Sequence, residues 1–148
     1  MRCALIGGIL AATSFASGAE PKWSFQAETE ALYTFDTGVL RGRLRLDGRD
    51  QGIHELVHVP SGQEVTYGGG RLALMSHYRL FTRGTRYGDA ARNWPTVSKV
   101  LPDGAVEAVF HPAEEYPFTL KVIFRLGAAD AIDVETMVCA KQDLPRFG

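Results

Sequence analysis

Apolar and polar positions alternate along several stretches of this chain. In residues 119–126 and again in residues 131–140, alternate side chains form a mainly apolar face, with Asp133 and Glu135 on the opposite face of the second stretch. A period of two residues is typical of a half-buried β-strand, because successive side chains point to opposite faces of a sheet. Residues 39–46 have the same period, with the face of Leu40, Gly42, Leu44 and Leu46 opposite that of Arg41, Arg43 and Arg45.

Shorter candidate strands lie between turns that are rich in glycine and proline. They are residues 31–35, 53–59, 72–81 and 105–111. Successive strands joined by short turns pair antiparallel, since a parallel pair needs a crossover of about a dozen residues or more. No stretch carries the apolar stripe of a helix. The sequence therefore predicts an all-β fold, an antiparallel β-sandwich in which each sheet covers the apolar face of the other.

The first nineteen residues have the parts of a secretory signal. A basic start at Arg2 precedes the apolar residues 4–12, and small residues follow up to Ala19. This order is typical of a leader that is removed on export, with a buried first helix or strand as the alternative. We therefore expect residues 1–19 to be a signal peptide, cleaved after Ala19 or else after Ala16, and the protein to be secreted or periplasmic.

The remaining residues 20–148 are expected to form one β-sandwich domain, since their number fits a common domain size. Loss of the leader would remove Cys3, so we expect Cys139 to be a small buried residue and the mature chain to have no internal disulfide. No later stretch approaches the roughly 20 apolar residues of a membrane span, so integral membrane association is not expected. The chain ends soon after residues 131–140, which would leave that strand edge bare. We therefore expect the N-terminal portion of a larger domain.

Lys and Arg number 16 against 17 Asp and Glu, which gives a formal net charge of −1. Such a balance supplies no broad positive field, so nucleic acid is not an expected partner. The arginines nevertheless cluster locally, and each cluster could accept an anionic ligand. One cluster is Arg41, Arg43, Arg45 and Arg49, and the other is Arg79, Arg83, Arg86 and Arg92.

Residues 78–95 break the alternation and concentrate arginine, aromatic residues and glycine. That composition is typical of a binding loop carried by a rigid sheet. Arginine offers a planar fork of donors and aromatic rings offer flat apolar faces, which together suit a carbohydrate, including an acidic glycan. In the alternative interpretation the Tyr and Trp rings pack in the core and Asp89 pairs with a neighbouring arginine. The candidate ligand-binding residues are Arg79, Arg83, Arg86, Tyr87, Asp89, Arg92 and Trp94.

Metal-dependent and catalytic chemistry has weaker support in the sequence. His54 and His58 fall on one side of a strand, but no carboxylate stands at a recognisable ligand spacing, so no metal and no cofactor is expected. Asp133 and Glu135 are about 7 Å apart along one strand, a separation that glycoside hydrolysis can use. A solvated strand face explains the same pair, because charged residues alternate with apolar ones on any half-exposed strand. No catalytic residue is assigned.

From Gly52 onward, the order of features resembles the galactose mutarotase-like β-sandwich, the fold of aldose 1-epimerases that also forms domains in polysaccharide lyases and glycosidases. The resemblance implies a sheet surface suited to sugars. It also implies a catalytic histidine and glutamate beyond Leu144, so neither role is carried over to a residue of this chain. The segments that carry the resemblance are Gly52-Ile53-His54-Glu55-Leu56, Pro60-Ser61-Gly62, Leu101-Pro102-Asp103-Gly104-Ala105-Val106-Glu107, Glu115-Tyr116-Pro117-Phe118-Thr119-Leu120, Ile132-Asp133-Val134-Glu135-Thr136-Met137-Val138 and Leu144-Pro145.

Residues and resemblance together predict a secreted protein that binds or processes carbohydrate and is inactive as an isolated fragment. One alternative is a glycosidase or lyase-like enzyme that uses Asp133 and Glu135. A second alternative is a structural envelope domain without catalysis. Whether the protein is an enzyme is left open by the sequence.

Overall fold

A computed structural model of the chain describes residues 3–5, 23–66, 73–77, 81–82, 84–88 and 90–143. These ranges contain twelve strands and two short 3-10 helices, Val59–Ser61 and Ala91–Asn93. The strands are β1 (Cys3–Leu5), β2 (Gln26–Ala27), β3 (Leu32–Asp36), β4 (Leu40–Arg45), β5 (Gly52–His58), β6 (Gln63–Glu64), β7 (Phe81–Thr82), β8 (Thr85–Arg86), β9 (Thr96–Val100), β10 (Val106–Phe110), β11 (Phe118–Ala128) and β12 (Ala131–Ala140).

The strands form two five-stranded sheets and one two-stranded hairpin, all paired antiparallel. The N-terminal sheet has the order β2-β3-β4-β5-β6, and the C-terminal sheet has the order β1-β12-β11-β10-β9. Strands β7 and β8 make the separate hairpin. The prediction of an all-β, antiparallel architecture is confirmed. In the part of the chain described here, no helix is long and apolar enough to cross a membrane.

The two large sheets share one apolar core. Leu44 and Ile53 of the N-terminal sheet and Val106 and Val122 of the C-terminal sheet are all 0% exposed and belong to the same cluster of buried residues. Tyr33, on β3, donates its hydroxyl to Ser98 Oγ on β9 at 2.8 Å, which joins the sheets at one edge. Removing such side chains from water is the dominant favourable term in folding. The architecture is therefore sandwich-like, with the inner faces of both sheets covered.

The alternating stretches place their side chains as predicted. In β4, Gly42 and Leu44 are buried while Arg41 and Arg43 are exposed. In β11 every second residue from Phe118 to Phe124 is buried. Strand β12 follows the alternation less closely, because its inward-facing Val134 is 37% exposed.

Two expectations about strands differ from the structure. The described parts of the expected strand over residues 72–81 are residues 73–77 and Phe81. Residues 73–77 contain a single antiparallel bridge between Leu74 and Ile53, and Phe81 begins the short strand β7. Strand β9, in contrast, occupies a stretch without an apolar face, since Val97 is 63% and Val100 is 38% exposed. It forms at the sheet edge through backbone pairing with β10. Alternation of side chains gives no signal for such a strand.

The amino-terminal strand lies against the strand at the end of the described chain. Cys3 is opposite Cys139 in the register of β1 and β12, and no cysteine among the described residues is a free thiol. In a chain that keeps its first residues, β1 therefore pairs with the outer edge of β12 at Met137, Val138 and Cys139. In this structure Cys139 is disulfide-bonded and half-buried, so the expectation of a buried cysteine outside any disulfide is wrong for the chain as described. Residues 6–22 lie outside the described part, so leader cleavage and the state of Cys139 after it stay predictions.

Candidate functional site

Trp94, one of the candidate ligand contacts, lies in the core. Its ring is stacked on that of Tyr116 with centroids 3.7 Å apart and planes 3° from parallel. Only 3% of Trp94 and 8% of Tyr116 are exposed. Burial raises the pKa of the Tyr116 phenol, and the nearby charge of Glu115 adds to that rise. Of the two interpretations of Trp94, the structure favours the core residue, and we withdraw it from the ligand-binding set.

The other described candidates in residues 78–95 differ in their surroundings. Tyr87 is half-buried and packs edge-on against Phe118, with ring centroids 5.0 Å apart. Arg92 is held by an ion pair between its Nε and Asp50 Oδ1 at 3.0 Å. Arg86, on β8, is exposed. Tyr87 and Trp94 both pack against Phe118. Arg79, Arg83 and Asp89 lie outside the described residues.

The acidic pair on β12 belongs to a solvated, ion-paired strand face. Glu135 Oε2 lies 3.2 Å from Arg125 Nη1, and Arg125 Nε lies 3.3 Å from Asp103 Oδ2. Asp133 is exposed and stands opposite Arg125 in the strand register. The solvated-face interpretation accounts for this arrangement without a catalytic role.

Three of the described histidines, His54, His58 and His77, contact protein groups. His54 Nε2 is 2.8 Å from the Asp50 carbonyl oxygen, and His58 Nδ1 is 2.8 Å from Ser61 Oγ. His77 Nε2 is 2.8 Å from Thr136 Oγ1, and burial lowers the pKa of this imidazole. Within the described ranges, no three His, Cys, Asp or Glu side chains come together in a way that could hold a metal ion.

A cleft opens on the outer face of the N-terminal sheet. Its volume is about 620 Å³, a size typical of small-molecule sites. Trp23 stands in its wall beside a set of polar side chains drawn from four neighbouring strands. We call this site the outer cleft. Its polar lining residues are Ser24, before the first of these strands, and Gln26, Thr34, Asp36, Arg41, Arg43 and Glu55 on them.

The register of the sheet brings these side chains into two rows. Thr34 of β3 is opposite both Gln26 of β2 and Arg43 of β4, which forms the first row. Asp36 of β3 is opposite Arg41 of β4, which forms the second row. Residues opposite each other in an antiparallel pair have Cβ atoms about 5 Å apart. The outer cleft therefore presents donors and acceptors at close, regular spacing.

Gly42 lies between the two arginines and faces the core. A Cβ atom at this position would stand 3.0 Å from Phe35 Cζ and 3.3 Å from the His54 carbonyl oxygen. The missing side chain lets the Phe35 ring pack directly beneath β4. The floor of the outer cleft is therefore continuous with the hydrophobic core.

Glu55 enters the outer cleft through a β-bulge. Arg41 pairs with Val57 but Arg43 pairs with His54, so β5 contains one more residue than β4 over this interval. Glu55 lies within the bulge and has a φ of +52°. This left-handed conformation is uncommon for residues other than glycine and asparagine. Such bulges often redirect a side chain next to a functional site.

The charges in the outer cleft are only partly paired with each other. Arg43 Nη1 is 3.5 Å from Glu55 Oε2, and both side chains are about half exposed. Asp36 Oδ1 accepts a hydrogen bond from the Gly38 backbone N–H at 2.8 Å. Among the described residues, no ion pair involves Arg41. Arg41 is exposed, so its guanidinium is open to a ligand.

The sequence signalled part of this site. The sequence predicts that the cluster with Arg41 and Arg43, or the second arginine cluster, could accept an anionic ligand, and it assigns no binding role to Trp23 or Glu55. The sequence does carry a signal for the bulge. The apolar residues Ile53 and Leu56 are three positions apart on one strand, and both are buried in the structure. A regular strand would place them on opposite faces.

The chain matches no protein-family model, no curated protein and no solved structure. The galactose mutarotase-like resemblance therefore stays a prediction. It rests on the quoted segments.

Proposed function

We propose that this chain is an exported carbohydrate-binding domain of the galactose mutarotase-like type, and that the outer cleft is its glycan site. The observation that carries the proposal is the position of Trp23 beside alternating donors and acceptors in one open cleft. A sugar ring has an apolar face that packs on an aromatic ring and hydroxyl groups that both donate and accept hydrogen bonds. Aromatic residues with a few convergent polar groups are the general design of a ligand pocket.

Each part of the lining has a role in this proposal. Trp23 contacts the apolar face of a sugar ring. Arg41 and Arg43 donate to hydroxyl oxygens, and Asp36 and Glu55 accept from hydroxyl groups, since carboxylates act only as acceptors when ionised. The outer cleft is open, so it suits part of an extended glycan better than a small enclosed sugar.

The fold family and the compartment belong to the same proposal. Two antiparallel sheets around one core support a galactose mutarotase-like sandwich, and the order of residues 1–19 supports export. No residue is given a catalytic role, because the acid and base implied by the resemblance would follow Leu144. Glu135 has its carboxylate in an ion pair with Arg125, which gives the glycosidase or lyase-like alternative no specific support.

Retention of the purified protein on a glycan array tests the proposal. We expect wild-type protein to be retained, and Trp23→Ala and Arg41→Ala to lose retention with little change in thermal stability. Lys99→Ala, on the outer face of the other sheet, is the matched control and should bind as wild type does. A wild-type protein that binds no glycan contradicts the proposal and supports the structural envelope alternative. Loss of binding in Arg86→Ala but not in Trp23→Ala would place the site in residues 78–95.

Export is tested separately. Expression with the native amino terminus should give a secreted product whose mass corresponds to a start at Glu20. A product that retains residues 1–19 would contradict the leader prediction and leave the binding proposal intact.

A further inference from the structure

The orientation of Glu55 depends on the bulge in β5. Ile53 is fully buried, and strict alternation along a strand would place the residue two positions later, Glu55, on the same inner face. The extra residue in the bulge instead turns Leu56 into the core, where it is 6% exposed, and turns Glu55 outward beside Arg43. The bulge thus puts a carboxylate into the outer cleft.

Stability alone does not account for a glutamate at this position. A φ of +52° favours glycine and disfavours residues with a Cβ atom. The ion pair with Arg43 is long, at 3.5 Å, and about half exposed on both sides, so it adds little to folding. Strained non-glycine residues of this kind tend to occur at ligand sites.

The carboxylate of Glu55 also sets the charge of the outer cleft. The lining has two arginines, Arg41 and Arg43, and two acidic residues, Asp36 and Glu55, so the opposite charges are equal in number. A charged glycan would gain attraction at the arginines and meet repulsion at the carboxylates. A neutral glycan meets only hydrogen-bond partners, with Arg43 donating and Glu55 accepting at adjacent positions.

We propose that Glu55 is the residue that makes the outer cleft selective for neutral glycans over uronic-acid glycans, and that the β5 bulge holds it for this purpose. The inference rests on the proposed carbohydrate function and adds its ligand class and its specificity-determining residue. Glu55 accepts from one hydroxyl of a neutral sugar while Arg43 donates to the next. Removal of the Glu55 charge leaves Arg41 and Arg43 facing a single acidic residue, Asp36, which favours a uronate.

The test measures binding of a galactose hexasaccharide and a galacturonic acid hexasaccharide to wild type and four variants. Wild type should prefer the neutral hexamer. Glu55→Gln should lose about ten-fold in affinity for it, because a neutral amide oxygen is a weaker acceptor than a carboxylate, and should gain affinity for the acidic hexamer. Glu135→Gln is the matched control, because Glu135 is also about half exposed and ion-paired to an arginine. Its affinities for both hexamers should equal those of wild type.

Glu55→Gly separates binding from folding. It should raise the melting temperature, since glycine accepts the positive φ without strain, while affinity for the neutral hexamer falls. Met75→Gly relieves a similar φ of +54° outside the lining of the outer cleft, and it should raise the melting temperature without changing affinity.

The outcomes distinguish the two proposals. If wild type binds neither hexamer nor any other glycan of an array, the carbohydrate function is wrong and the inference is wrong with it. If wild type binds glycan but prefers the acidic hexamer, or if Glu55→Gln and Glu55→Gly bind the neutral hexamer as wild type does, the role of Glu55 is wrong and the carbohydrate function stands.

Discussion

The two tryptophans of the chain lie in regions of opposite character. Trp94 follows a short 3-10 helix and stacks on Tyr116 beneath the C-terminal sheet, where 3% of it is exposed. Trp23 precedes the first strand of the N-terminal sheet and lines an open cleft with charged neighbours. The sequence around Trp94 is the richer in arginine and aromatic residues, yet the better site surrounds Trp23. Local composition therefore identifies residues able to bind, and burial decides which of them face solvent.

The largest expected effect is on folding stability, and it tests the contrast between the two tryptophans. Trp94→Ala should destabilise the fold by about 3–5 kcal/mol, because it removes a fully packed ring and leaves a cavity beside Tyr116. Urea unfolding of the variant and of Trp23→Ala would measure the difference in the free energy of unfolding. We expect Trp23→Ala to change it far less while it abolishes glycan retention. Equal destabilisation by the two substitutions would contradict the division into a core region and a ligand region.

A second, smaller effect concerns the floor of the outer cleft. Gly42→Ala should cost about 1–3 kcal/mol, since its methyl group would crowd the Phe35 ring and the structure must shift to accept it. Circular dichroism during thermal unfolding measures the loss. Gly38→Ala is a useful control, because Gly38 has open space around its Cβ position although its φ of +83° carries a backbone cost. A Gly42→Ala protein as stable as wild type would show that the cleft floor is not tightly packed on the core.

The region around Trp94 should also respond to pH. His77 accepts the Arg92 backbone N–H at its carbonyl oxygen, and its imidazole has a pKa lowered from 6.5 by burial. Between that lowered pKa and about 6.5, the unfolded chain binds more protons than the folded chain, so stability falls as pH falls through this window and is unaffected above it. Urea unfolding at several pH values should show the slope, and His77→Gln should reduce it. The outer cleft has no histidine in its lining, so the slope should not depend on Trp23.

The smallest expected effect comes from the outer face of the C-terminal sheet. There, Lys121 is hydrogen-bonded to Glu107 at 2.6 Å and Lys99 lies 3.3 Å from it, and both lysines lower the pKa of this carboxyl group. The ionised Glu107 carboxylate therefore contributes to folding stability above pH 4.5, and this contribution is lost as pH falls through the lowered pKa. Glu107→Gln should cost no more than about 1 kcal/mol in unfolding experiments. A similarly small loss of unfolding free energy in Glu55→Gln would show that the ion pair between Arg43 and Glu55 adds little to folding stability.

The fold was predictable to the extent that one face of each strand is buried. Strands β4 and β11 follow the alternation of their side chains and β12 follows it less closely, and their antiparallel pairing follows from short turns. Strand β9 was not predictable, because it is an edge strand whose valines face solvent and whose order comes from backbone hydrogen bonds to β10.

The candidate site was predictable only in its chemistry. Arg41 and Arg43 were assigned to the polar face of a strand, and that assignment holds. Trp94 has the residue type of a ligand contact but lies in the core, since its position follows from stacking on Tyr116, a residue 22 positions later. Neither that stacking nor the position of Trp23 beside β3 and β4 is visible in any local window of sequence.

The sequence by itself determined the all-β class, the faces of the principal strands and the polar character of the N-terminal sheet's outer surface, because these depend on side chains one or two positions apart. The tertiary structure alone decided which tryptophan meets solvent and where a glutamate turns out of the core into a cleft. Both outcomes depend on contacts between strands that are distant in sequence, and on a single extra residue in β5 that reverses the face on which its side chains lie.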